Sequence, residues 1–113
     1  MYIKRIPAKK MTIYLDDNTK YQGRAAYQAV LDLLMEKGVA GATLFKGAAG
    51  YGGDRKMHSA SVLRLTEDLP LKIEVVDMEE KIEAVLKDIM EIVKKGMVIL
   101  SDTEMVKRFE GEA

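Results

Sequence analysis

Apolar and polar residues alternate first at Met11, Ile13 and Leu15, which are separated by Thr12 and Tyr14 and followed by the polar run Asp16-Asp17-Asn18-Thr19. A two-residue period that ends in turn-forming residues predicts a strand closed by a turn. Between Arg24 and Lys37 the period changes. Ala26, Val30, Leu33 and Leu34 fall at helical spacing, and Gly38 follows where a helix needs a residue able to take the left-handed conformation. Residues 42–46 and 60–65 read as the second and third strands, separated by a glycine-crowded segment from Gly47 to Ser59, and are expected to pair as a long-looped hairpin. Asp68-Leu69-Pro70 reads as a turn. Leu71, Ile73 and Val75 then alternate with Lys72 and Glu74 as a half-buried fourth strand, with Pro70 at its start, where a missing donor costs little.

Asp77 with Glu80 has the spacing of a capping box, and Ile82, Val85, Leu86, Ile89 and Val93 line one face of a second predicted helix. Glu83 with Lys87 and Glu91 with Lys95 are spaced for exposed ion pairs on that helix. Gly96 ends it, residues 97–100 give a short apolar strand, and the charged residues 101–113 read as a tail that frays after at most one irregular turn or strand. The order is read as β-α-β-β-α-β, an α+β ferredoxin-like sandwich in one domain whose two helices cover one face of a four-stranded antiparallel sheet. The other face would carry Tyr14, Phe45, Val62, Val76 and, on one parity, Val98 or Leu100. A sheet face this apolar predicts association with further copies of the chain.

Composition narrows the functional classes. Apolar residues at 48% and charged residues at 32% of 113 are enough for a core without staples. With no cysteine there is no disulfide framework, zinc knuckle or thiol nucleophile. Eighteen acidic residues balance eighteen basic ones, so the overall field draws in neither nucleic acid nor an anionic membrane, and an anion site has to be built locally. Lys4, Arg5, Pro7, Lys9 and Lys10 interrupt the N-terminus and no stretch reaches the ~20 apolar residues of a membrane span, so a cytoplasmic protein is expected.

One segment concentrates unusual chemistry. Gly47, Gly50, Gly52 and Gly53 lie together, bracketed by Lys46, Arg55, Lys56 and His58, the only histidine of the chain. Glycines let backbone amides turn toward an anion, and basic side chains add charge-assisted hydrogen bonds to phosphate or carboxylate oxygens. The glycine spacing matches neither the dinucleotide fingerprint nor the phosphate loop of nucleotide hydrolases, and no helix is predicted to follow it. Tyr51 reads either as a stacking surface for a base or as a loop anchor. A lone histidine without clustered carboxylates predicts no metal site. Asp54, Asp68, Ser59 and Ser61 form no paired-carboxylate or nucleophile-base constellation, so no catalytic residue is assigned.

The run from Gly41 to Gly53 (GATLFKGAAGYGG), Met57-His58-Ser59, Asp68-Leu69-Pro70 and the stretch Ile73 to Asp77 resemble the PII-like family called domain of unknown function 190, over residues 11–100. The resemblance implies a homotrimer, adenine nucleotides (AMP, ADP or ATP) in clefts between subunits, and a long loop that addresses a regulated partner. Lys46, Gly47, Gly50, Tyr51, Gly52, Gly53, Arg55, Lys56 and His58 become the expected ligand or partner contacts. A membrane channel or transporter fits as that partner, without insertion of this chain itself. The sequence around Tyr51 lacks the pattern of the modified PII loop tyrosine, and Val76-Asp77-Met78 lacks the PII nucleotide-loop signature.

Three functional classes follow: a non-enzymatic ligand sensor, a trimeric adaptor without a small-molecule ligand, and a small enzyme acting on a phosphorylated metabolite. The third would need His58 to meet Asp54 or Asp68 of a neighbouring subunit in one cleft.

Overall fold

The computed structural model describes residues 1–59 and 68–112. β1 (Tyr2–Asp16) is a 15-residue strand that reaches far to the N-terminal side of the alternating stretch. The polar run does end it, and Thr19 N donates to the Asp16 carbonyl at 3.3 Å. A small hairpin follows, β2 (Lys20–Tyr21) against β3 (Arg24–Ala25). It turns through Gln22 and Gly23 with φ of 50° and 81°, the mirror-image turn whose twist matches paired strands. That hairpin takes Arg24 and Ala25, and α1 (Ala26–Glu36) starts at Ala26, the first residue of its apolar spacing. Gly38 adopts φ 75° just past the Lys37 cap, the left-handed ending expected of it.

β4 (Ala42–Lys46) keeps its expected bounds. Two short strands, β5 (Ala49–Gly50) and β6 (His58–Ser59), lie inside the glycine-rich segment, followed by β7 (Pro70–Asp77), α2 (Glu79–Ile92) and β8 (Met97–Phe109). The main sheet runs β4-β7-β1-β8, antiparallel throughout. Met11, Ile13, Leu15, Leu71, Ile73 and Val75 point from it into one core with Val30 and Leu34 of α1 and Ile82, Val85 and Ile89 of α2. This is the ferredoxin-like arrangement.

Several expectations change. The strand expected at 60–65, and Val62 with it, lies outside the described residues; the described neighbour of β4 is β7, in the register Leu44↔Ile73. Residues 101–109 are no fraying tail. They continue β8 because β1 supplies a hydrogen-bonding partner for them out to Tyr2↔Phe109. Asp77 does not close a capping box. Its carboxylate accepts from Met78 N at 2.7 Å and from Ala40 N at 2.9 Å, so it joins the start of α2 to the chain entering β4. The two pairs expected on α2 do not close, since Lys95 lies beyond the helix end and Glu83 and Lys87 are unpaired among the described residues.

The open sheet face carries Tyr14, Phe45 and Val76 as expected, but its β8 members are Met97 and Ile99. The pairs Val98↔Ile13 and Leu100↔Met11 place Val98 and Leu100 on the helix side. Phe45 and Ile99 are each 44% exposed there. Charged groups sit among them: Glu74 pairs with Lys10 at 3.1 Å and Lys72 at 3.3 Å, and Lys72 Nζ lies 4.9 Å from the centre of the Phe45 ring. Gly96 starts the last crossing, where a Cβ would stand 2.2 Å from the Tyr14 carbonyl oxygen, so no other residue lets β8 approach β1 this closely.

Candidate functional site

The glycine-rich segment leaves β4 across the ring of Pro70. Gly47 N donates to the Pro70 carbonyl at 2.8 Å, and a Cβ at Gly47 would lie 2.8 Å from Pro70 Cγ and 3.3 Å from that carbonyl oxygen. The amide of Gly47 is therefore engaged within the fold. Beyond it β5 pairs with β6, Gly50 facing His58 and Ala49 facing Ser59, so the segment is a hairpin with residues 51–57 as its tip.

Asp54 organises that tip. One carboxylate oxygen accepts from Lys56 N at 3.0 Å and the other lies 3.1 Å from His58 Nε2. Arg55 N donates to the Gly52 carbonyl at 2.9 Å, and Arg55 itself takes φ 57°, a left-handed conformation that a non-glycine residue adopts only under local constraint. The Lys56 amide and the His58 ring hold the Asp54 carboxyl below its ordinary value. The hydrogen bond that the Asp54 carboxylate accepts raises the His58 imidazole, and the carboxylates of Asp68 and Asp16 add to it. Tyr51 is 67% exposed, and Gly53, Arg55 and Lys56 are exposed beside it.

The turns after β1 and before β7 form the floor beneath the hairpin. Asp17 N donates to the Leu69 carbonyl at 3.0 Å, Leu69 N returns a bond to the Asp17 carboxylate at 3.3 Å, and Asn18 N donates to Asp68 at 3.2 Å. Burial pushes the Asp68 carboxyl up, against the lowering effect of the Asn18 amide. Lys46 Nζ reaches Asp17 at 3.4 Å.

The structure thus gathers the expected residues in two groups. Gly50, Lys56 and His58 are joined through the hairpin and its Asp54, with Tyr51, Gly52, Gly53 and Arg55 on its exposed tip, whereas Lys46 and Gly47 are tied to the floor. Sequence reasoning missed Asp54 as the organiser, and Asp17, Asn18 and Asp68 as the floor. The available signal was the aspartate two residues before Lys56 and four before His58, a spacing that closes an Asx turn onto a following side chain. The tip thus exposes two cations, Arg55 and Lys56, beside the aromatic ring of Tyr51. Among the described residues no group of three His, Cys, Asp or Glu side chains is placed to hold a metal ion. Nor is any helix there long and apolar enough to cross a membrane.

The model of the family DUF190, described as "Uncharacterized ACR", matches residues 8–105. A UPF0166 protein of Methanocaldococcus jannaschii is 38% identical over 103 residues, covering 90% of this chain and 94% of that protein. Among solved structures, CPII from Thiomonas intermedia, a nitrogen regulatory PII-like protein bound to ADP, AMP and bicarbonate, superposes with a TM-score of 0.70 at 24% identity. That match covers 90% of this chain and 91% of CPII. A PII-like signaling protein from Thermus thermophilus gives 0.60 at 16% identity, covering 91% of each chain. The likeness to these two is one of fold, and the fold is PII-like.

Proposed function

The chain belongs to the DUF190 family, and from that membership we propose a non-enzymatic PII-like signalling protein that senses an adenine nucleotide and addresses a partner through residues 47–59. The observation that carries this reading is the hairpin itself. Asp54 fixes the backbone of Lys56 and the ring of His58, so the two exposed cations Arg55 and Lys56 stand on an ordered platform next to Tyr51. Preorganised charge is what recognition of a phosphate needs, since the ordering cost is met before binding. CPII, which shares the fold, was solved with ADP and AMP, and this supports an adenine nucleotide as the ligand class. The open face with Tyr14, Phe45, Met97 and Ile99 supports assembly with further copies of the chain; a cytoplasmic homotrimer with the ligand near a subunit boundary is part of the same proposal.

A second reading has its own observation. The Gly47 amide bonds to Pro70, and Lys46 pairs with Asp17. A phosphate would have to compete for those groups, which favours a loop that docks on a partner protein, a channel or transporter included, and a trimeric adaptor without a nucleotide.

Calorimetry of the wild type, Arg55→Ala and Lys56→Ala with AMP, ADP, ATP and cyclic AMP separates the two. Loss of one charge-assisted bond, about 1.5–3 kcal/mol, should weaken binding roughly ten-fold or more in either variant. No heat with any of the four nucleotides, or equal affinity in all three proteins, would overturn the sensor reading in favour of the adaptor.

A further inference from the structure

β1 and β8 outrun the rest of the sheet. β7 leaves β1 at Lys9↔Asp77, but β1 and β8 stay paired to Tyr2↔Phe109. Residues 2–8 and 103–109 therefore form a two-stranded arm, about 23 Å long at roughly 3.3 Å per residue. A lone two-stranded ribbon is at best marginally stable in water and needs a further layer. This arm holds Ile3 and Val106 in solvent and stacks Tyr2 on Phe109 at 5.3 Å near its tip.

The β1 edge of the arm is a poor template for another strand. Pro7 lies in the part of β1 that has lost its second neighbour, and it brings no donor to that open edge. The arm's charge is carried on its faces. Lys4 and Lys107 stand directly opposite one another, a like-charge pair that costs stability in isolation. Among the described residues neither forms an ion pair within the chain. With Arg5 and Arg108 the arm carries four basic side chains against one acid, Glu104.

The complement is on the same molecule. α2 carries Glu79, Glu80, Glu83, Asp88 and Glu91 against Lys81 and Lys87, all exposed, with Met90 51% exposed among them. In a chain of zero net charge, this splits the field into a basic arm and an acidic helix. We propose that the arm is an intersubunit clasp, lying across the outer acidic side of α2 in a second copy of this chain. The face laid on α2 is the one that carries Lys4, Lys107 and the Tyr2–Phe109 stack: an acidic helix side relieves the Lys4–Lys107 repulsion, and Met90 packs on those rings. The clasp rests on the homotrimer reading, to which it adds a contact distinct from the open sheet face.

Zero-length carbodiimide coupling of the unmodified protein, with isotopically heavy and light chains mixed before assembly, tests it directly. Peptides joining Lys4 or Lys107 of one isotope to Glu80, Glu83 or Glu91 of the other are expected. In parallel, Lys4→Glu with Lys107→Glu should raise the concentration at which the oligomer dissociates by ten-fold or more, and adding Glu80→Lys with Glu83→Lys should restore it. A wild type that scatters light as a monomer at micromolar concentration would overturn the trimer reading and the clasp together. A trimer with no mixed-isotope link from the arm to α2, and with dissociation unchanged by the reversal, would overturn the clasp alone and leave the arm to a different partner.

Discussion

The carboxylate of Asp54 lies 3.1 Å from Nε2 of His58 while its other oxygen accepts the amide of Lys56 at 3.0 Å, so one side chain sets both the backbone and the only imidazole of the loop. The contact has a pH signature. His58 is raised above 6.5 chiefly by the Asp54 hydrogen bond, so its stabilising contribution is fully present below the unfolded value near 6.5 and is lost as pH rises through the higher folded value. Asp54 is lowered from 3.8, so its contribution is present above that value and is lost as pH falls through the lower folded one. The pair is thus complete between about pH 4 and 6.5. Titration of the imidazole by NMR should give a midpoint above 6.5 in the wild type and a lower one in Asp54→Asn. Identical midpoints would show that the pair does not form in solution.

Gly47 supports the loop by its lack of a side chain. A Cβ there would meet Pro70 Cγ at 2.8 Å and the Pro70 carbonyl oxygen at 3.3 Å, while a Cβ at Gly52 would meet nothing within 4 Å. Gly47→Ala should therefore lose about 1–3 kcal/mol in urea denaturation, the usual cost of overpacking, and Gly52→Ala should stay within about 0.5 kcal/mol of the wild type. Equal midpoints for the two variants would mean that Pro70 yields without strain.

Asp77 is buried and joins two segments through its carboxylate, bonding Ala40 N and Met78 N. Removing the acceptor strands a donor on each side, so Asp77→Ala should cost about 1–3 kcal/mol. Asp77→Asn, which keeps one carbonyl oxygen, should cost less. If the two variants unfold at the same denaturant concentration, the double acceptor is not what Asp77 contributes.

Local order was legible where neighbouring residues decide it. The left-handed Gly38 and the buried face of α2 with Ile82, Val85 and Ile89 follow from spacing, because a helix and its cap are built from residues three and four apart, and β4 keeps the bounds expected between Gly41 and Gly47. The loop was legible as a concentration of chemistry, but its organiser was not, since Asp54 gains its role only when β5 and β6 bring His58 back beside it.

Tertiary structure decided the rest. Met97, Val98, Ile99 and Leu100 are all apolar, so alternation could not say which pair faces the helices, and a one-residue choice of register exchanges the two faces. The pairing of Val98 with Ile13 made that choice. The same reason governs strand length. In residues 2–8 and 103–109 Lys4 and Lys107 interrupt the apolar face of Tyr2, Ile6, Met105 and Phe109, yet each strand satisfies its backbone on the other, a partner about a hundred positions away that no local window of sequence contains.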